Sequence, residues 1–199
     1  MDIMEAVRAS KIIAIVRGME ETSIARFAQA LYEGGISMIE VTFDQAHPDR
    51  WGDTARAIER LRGRFDGRVR AGAGTVLTLE QLELAHRAGA EYIVSPDANP
   101  AIIRRTRELG MCSFPGVMTP SEAVRAHDCG ANAVKVFPAS VLGPAYFKAL
   151  KAPLPHIEML AVGGVNENNA ADFLRAGAIG LGIGGSLTRR ELVERGAFE

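Results

Sequence analysis

The apolar and polar positions of the chain alternate between two textures. Short apolar runs such as KIIAIV, SMIEV, AEYIV, ANAVKVF and AIGLGI have the make-up of strands buried on both faces. Between them lie stretches with helical spacing. Leu79, Leu82 and Leu84 to Ala85 mark one face of LEQLELAHRAG, and Ile102, Ile103 and Leu109 mark one face of PAIIRRTRELG. Gly34-Gly35, Gly89, Gly110, Gly130 and Gly177 stand where a helix ends and an apolar run begins, as left-handed C-cap residues do. Strands are expected to start at Ile12, Ser37, Val69, Glu91, Met111, Ala133, Ile157 and Ile179, spaced 20 to 32 residues apart. Eight βα units at so short an interval predict an α/β fold, a (β/α)8 TIM barrel. An open doubly wound sheet is the alternative, but the turn after the first strand reads VRGMEETS and holds no G-x-G-x-x-G. No linker interrupts the repeat, so residues 1–199 are expected to form a single domain with a short N-terminal helix. Little chain follows GIGGSL. The last helix is therefore expected to be missing or disordered, exposing an apolar strip that the helix around Ile3 to Val7 does not fully cover.

Composition narrows the function more than the fold. The 199 residues are 47% hydrophobic and 24% charged, the balance of a folded soluble protein, and no apolar stretch approaches the ~20 residues of a membrane span. With 23 basic and 24 acidic side chains the net charge is −1, so no basic field exists for nucleic acid or a membrane surface. The opening MDIMEAVRASK lacks the apolar core of a secretory signal, and a cytoplasmic location is expected. Cys112 and Cys129 are too few for a disulfide framework and read as small buried fillers. His47, His86, His127 and His156 show no metal-ligand spacing, so neither metal nor cofactor is expected.

Alternation along the strands turns three charges inward. If Ile39 and Val41 face the helix layer, then Met38, Glu40 and Thr42 face the barrel axis. In the sixth strand Val134 and Val136 leave Lys135 inside, with Ala133 and Phe137. The first strand places Ile13 and Ile15 inside and Arg17 at its C-terminal end, where barrel active sites lie. Lys135 is out of character in a chain with four lysines against nineteen arginines. Burial would leave a fraction of its amine neutral and able to attack a ketone, forming an imine that serves as an electron sink. Burial would equally raise the pKa of Glu40 and suit it to proton transfer. The bland alternative is that Lys135 and Glu40 form a structural ion pair, an expensive arrangement inside a protein. Arg17 reads either as a surface arginine or as a bidentate carboxylate ligand.

Gly163-Gly164 in AVGGVNEN and Gly184-Gly185-Ser186 in GIGGSL end the seventh and eighth strands, where barrels of this type bind phosphate on backbone amides. The alternative is a pair of tight turns. GAGTV ends the third strand and would turn the Thr75 hydroxyl toward the mouth.

Taken together, these residues make the chain resemble the 2-keto-3-deoxy-6-phosphogluconate / 4-hydroxy-2-oxoglutarate aldolase family, the small class I pyruvate aldolases. The likeness runs over nearly the whole chain, through IVRG (15–18), IEVTF (39–43), GAGTVLT (72–78), IVSP (93–96), PGVMTPSE (115–122), AVKVFPA (133–139), VGGV (162–165) and GIGGSL (182–187). The resemblance implies a lyase without cofactor, usually a homotrimer. It would act on a 2-keto-3-deoxy sugar acid or its phosphate and release pyruvate. It implies that Lys135 forms the Schiff base and Glu40 is the general acid/base. Arg17, Thr75, Pro96, Phe137 and Val162 would line the substrate site, with Gly163, Gly164, Gly185 and Ser186 receiving the phosphate. Two positions depart from the pattern. Asp44 stands where some members carry a carboxylate-binding arginine, and Val162 stands where gluconate-type members carry a threonine, a choice seen in galactonate-type relatives. A phosphate-binding isomerase or epimerase, and a non-catalytic scaffold, are the rival readings.

Overall fold

Parallel strands and helices alternate around a closed barrel in the computed structural model, which describes residues 1–19 and 21–188. In chain order the elements are α1 (Ile3–Ser10), β1 (Ile12–Val16), α2 (Glu21–Glu33), β2 (Met38–Thr42), α3 (Trp51–Phe65), β3 (Arg70–Gly74) and α4 (Leu79–Arg87). They continue as β4 (Tyr92–Val94), α5 (Pro100–Glu108), β5 (Cys112–Phe114), β6 (Gly116–Val117), α6 (Pro120–Asp128), β7 (Val134–Val136), α7 (Ala139–Lys151), β8 (Met159–Val162), α8 (Ala170–Arg175) and β9 (Gly180–Ile183).

The strands run in the order β5-β4-β3-β2-β1-β9-β8-β7-β6, all parallel. This is the expected TIM barrel with one difference: its fifth strand is broken into β5 and β6 at Pro115, which has no N–H to give to a ladder. One half pairs with β4 and the other with β7. The seam closes through Asn132 N to Ser113 O (3.1 Å), Lys135 N to Pro115 O (2.8 Å) and Phe137 N to Val117 O (3.0 Å). The first strand begins where expected and the others one or two residues later. The residues just outside still bond to the neighbouring strand, as Ile179 N does to Met159 O at 3.0 Å.

The inside–outside alternation follows the expected phase. Ile13, Ile15, Met38, Tyr92, Val94, Phe114, Ala133, Leu160 and Val162 form the cluster inside the barrel. Ile39 and Val41 pack in one helix-layer cluster, Val134 and Val136 in the other. Helix α1, started by an Asp2–Glu5 capping box, sends Ala6 and Val7 into the interior cluster and so plugs the N-terminal end of the barrel. Its role is to close the floor rather than to cover a lateral strip. The expected loss of the last helix concerns residues 189–199, which lie outside the described residues.

Two smaller expectations are corrected. Leu79 does not join its helix's inner face; as the first residue of α4, just past the Thr78 N-cap, it is 49% exposed. Cys112 and Cys129 are half-buried rather than buried, because each stands at an element end, where the chain has not yet entered the core. No helix among the described residues is long and apolar enough to cross a membrane.

The inner positions of β3 are glycines, and two bulky neighbours depend on that. A Cβ at Gly72 would overlap the Tyr92 ring, and one at Gly74 would overlap the Glu40 carboxyl group. Gly72→Ala is therefore expected to overpack the interior and lower unfolding stability by about 1–3 kcal/mol. Urea titration checks this; an unchanged midpoint would mean the interior has room to spare.

Candidate active site

Glu40 is the central residue of β2 and Lys135 the central residue of β7. Both are buried, at 3% and 5% exposure, among β-branched neighbours that hold the strands extended. Their side chains form neither an ion pair nor a hydrogen bond with each other or with any described residue. A pair kept for packing would be closed, so this arrangement counts against the structural-pair reading. The Lys135 amine lies 4.7 Å from the centre of the Phe137 ring, so an aromatic face stands against it. Burial pushes the Lys135 amine below its ordinary value; Arg17 adds to this and Glu40 opposes it. Burial likewise raises the Glu40 carboxyl, against the pull of Lys135 and Arg17. Both changes favour the neutral forms, and a neutral amine beside a proton-holding carboxyl is what imine formation requires.

A cleft of about 250 Å³ opens at the C-terminal end of the barrel. Seven of the residues anticipated from the sequence line it: Arg17, Phe137, Val162, Gly163, Gly164, Gly185 and Ser186. Ile15, Val165, Asn166, Gly182 and Gly184 complete the wall. Arg17 is exposed and bonds to no described residue, and its guanidinium has the fork geometry that takes a carboxylate. Gly163 and Gly164 have φ of 94° and 73°, values that a side chain resists. Ser140 closes against this turn, donating its N–H to Gly163 O at 2.9 Å, and Asn169 Nδ2 donates to Gly164 O at 3.0 Å. The glycine pair is therefore held from both sides, with its backbone facing the cleft.

Thr75 and Pro96 are not among the cleft's lining residues; they follow β3 and β4 at the same end of the barrel. Thr75 has φ 56°, a left-handed conformation costly for a β-branched residue. A glutamine relay holds it there. Gln45 Nε2 donates to Thr75 O (2.7 Å), and Gln81 Nε2 donates to Gln45 Oε1 (3.0 Å). Gln81 Oε1 in turn accepts from Leu77 N (2.7 Å) and Thr78 N (3.2 Å). Asp44 is no free anion: it accepts from His47 Nδ1 (2.8 Å) and Ala46 N (2.9 Å), and the His47 bond holds its carboxyl below the usual range.

Gln45, Gln81, Asn166 and Asn169 escaped the sequence reading. The run VNENNA carries a usable signal, since asparagines of this density mark side-chain-stabilised turns. The glutamines carry none, because they meet across 36 residues. Among the described residues no group of three His, Cys, Asp or Glu could hold a metal ion.

Comparison with known proteins bears on this geometry. A family model described as KDPG and KHG aldolase matches residues 3–199. The chain is 38% identical over 188 residues to the 2-dehydro-3-deoxy-6-phosphogalactonate aldolase of Escherichia coli K12, covering 94% of this chain and 89% of that protein. It is 36% identical over 185 residues to the 2-dehydro-3-deoxy-phosphogluconate aldolase of Treponema pallidum, covering 92% and 84%. The fold superimposes with a TM-score of 0.84 on a solved structure described as native KDPGal, at 37% identity, over 94% of this chain and 88% of that one.

An unpaired buried amine costs stability. Lys135→Met is expected to stabilise the protein by about 1–3 kcal/mol near pH 7. Because the folded-state pKa is the lower one, the wild type regains stability as pH rises from that value toward the ordinary 10.5, and the gap should close there. Thermal melts of both proteins across pH check this; a marked loss in the variant would restore the structural role.

Proposed function

We propose that this chain, which belongs to the KDPG and KHG aldolase family, cleaves a 2-keto-3-deoxy-6-phospho sugar acid, 4-hydroxy-2-oxoglutarate or both through a Schiff base on Lys135. The chain is an aldolase and hence a lyase. The observation that carries the Schiff-base reading is the buried Lys135 amine, lowered by burial and left without a closed partner. One solved relative supports it: the KDPG aldolase of Legionella pneumophila, 26% identical, with a TM-score of 0.87 over 100% of this chain and 94% of that one, is described with pyruvate captured as a covalent carbinolamine intermediate.

In this reading the Lys135 amine adds to the C2 ketone, and Glu40 gives up its proton as water departs, leaving an iminium and a carboxylate. Glu40, as carboxylate, takes the C4 hydroxyl proton through a water as the C3–C4 bond breaks. The electron pair of that bond passes into the iminium, giving an enamine and freeing the aldehyde. Glu40 then returns the proton to C3, and hydrolysis releases pyruvate. Arg17 and Thr75 receive the substrate carboxylate, with Pro96 and Phe137 beside the reacting carbons. The backbone amides of Gly163, Gly164, Gly185 and Ser186 receive a terminal phosphate. The iminium provides most of the acceleration, because without it the leaving carbanion would have no place for its charge.

A galactonate-type substrate is a second reading, favoured by Val162. The side chain of this cleft residue has no atom to hydrogen-bond a C4 hydroxyl, so it offers no directed contact to fix one configuration there. A homotrimer working in the cytoplasm, with residues 1–199 as one barrel, completes the proposal.

Borohydride added with pyruvate is expected to fix a pyruvyl mass on the peptide holding Lys135; an unmodified Lys135 in folded protein would sink the Schiff base. Glu40→Gln should lower kcat by about 10²–10⁴. Pyruvate release compared across the gluconate, galactonate and 4-hydroxy-2-oxoglutarate substrates then decides between the two specificity readings.

A further inference from the structure

The Tyr92 hydroxyl is the one side-chain polar atom among the described residues that is sealed from solvent and finds no hydrogen-bond partner. Tyr92 is wholly inside the barrel, with its ring 5.7 Å from that of Phe114 and lodged in the space left by Gly72. An orphaned hydroxyl costs about 1–3 kcal/mol, and phenylalanine would fill the same space without that cost. Packing alone does not call for this oxygen.

Its surroundings suggest what does. Glu40 stands opposite Gly72 in the β2–β3 register, and Gly72 stands opposite Tyr92 in the β3–β4 register. The two side chains therefore flank the same pair of glycines, with the Tyr92 ring over Gly72 and the Glu40 carboxyl over Gly74. Three charged or titratable groups bear on Glu40: Lys135 from β7, Arg17 from the end of β1 and Tyr92 from β4. On the far side of Tyr92 lies Glu91, already engaged by Arg62 and Arg70. Burial, with the charges of Glu40 and Glu91 adding to it, holds the Tyr92 proton well above the ordinary tyrosine value. The hydroxyl is thus a donor at every working pH.

We propose that Tyr92 is a positioning residue for Glu40, its hydroxyl donating a hydrogen bond to the Glu40 carboxylate in the ionised stage of the reaction. In the structure the carboxyl rests over Gly74 without this bond. Once ionised, it is the strongest acceptor near Tyr92, and a charge-assisted O–H···O⁻ bond is about twice as strong as a neutral one. The donor thereby favours the form of Glu40 that accepts a proton, offsetting part of the burial that opposes it. This role rests on the aldolase reading above.

The test is exchange of pyruvate methyl protons for deuterium in heavy water, followed by NMR against pH at saturating pyruvate. That half-reaction needs only Lys135 and Glu40, and saturation leaves the acid limb of the rate to Glu40. In Tyr92→Phe the limb is expected to move up by about one pH unit, a roughly tenfold slower rate on the limb, with the high-pH plateau within about twofold. The melting temperature should be equal or higher. An unmoved limb, a uniform fall at all pH values or a large loss of thermal stability would each overturn the role while leaving the aldolase reading intact. A wild type that exchanges no pyruvate protons would overturn that reading, and this role with it.

Discussion

Everything at this site depends on keeping a lysine and a carboxyl group inside one barrel without letting them neutralise each other. In an interior of low dielectric, an amine and a carboxylate in contact would attract strongly, and both would become fixed charges with poor reactivity. Here the two stand on β2 and β7, on opposite sides of the strand order, and neither closes on the other. Desolvation then governs both groups, pushing the amine down and the carboxyl up. The closed sheet makes this possible, because strands locked into a barrel cannot slide to bring the charges together.

The same constraint explains where glycine is used. Inner positions of a small barrel are normally filled with branched side chains, yet β3 offers Gly72 and Gly74 there, and β9 offers Gly180 and Gly182. The first pair makes room for Tyr92 and Glu40. The second leaves space beside Ile15, Val162 and the cleft. A wide cleft at one end calls for a firm stop at the other, which α1 supplies with Ala6 and Val7.

The regular spacing of strands made the barrel legible, and alternation along β1, β2 and β7 made Arg17, Glu40 and Lys135 legible with it. Paired glycines at two strand ends marked the cleft's backbone wall. What stayed hidden depends on partners distant in sequence. The break at Pro115 could have been foreseen, since proline cannot donate within a central strand; FPGV nonetheless reads as continuous with the apolar run before it. The glutamine relay that holds Thr75 joins three loop and helix positions through tertiary contact alone. Whether the Tyr92 oxygen would find a partner was equally invisible: alternation turns the ring inward, but only packing decides what surrounds its hydroxyl.

Chemistry and recognition are built from different parts of this chain. Glu40 and Lys135, to which the proposal gives the chemistry, occupy the middle of strands, where ladder bonds on both sides leave little freedom of position. The cleft's far wall is mostly turns, held by Ser140, Asn166 and Asn169 through single hydrogen bonds to backbone. Such a wall can change shape or side chain without moving Lys135 or Glu40, because no hydrogen bond among the described residues links the two sets. Val162 is the exception, being a ladder residue of β8 that also lines the cleft. It is where a change in recognition would be felt nearest the chemistry. A valine there trades a directed contact to substrate for tight packing against the space of Gly182, with its methyl groups 2.8 and 2.9 Å from where a Cβ would stand. A larger residue at position 182 and a branched one at 162 cannot coexist, so the shape of this wall and the closure of the barrel are decided by the same pair of residues.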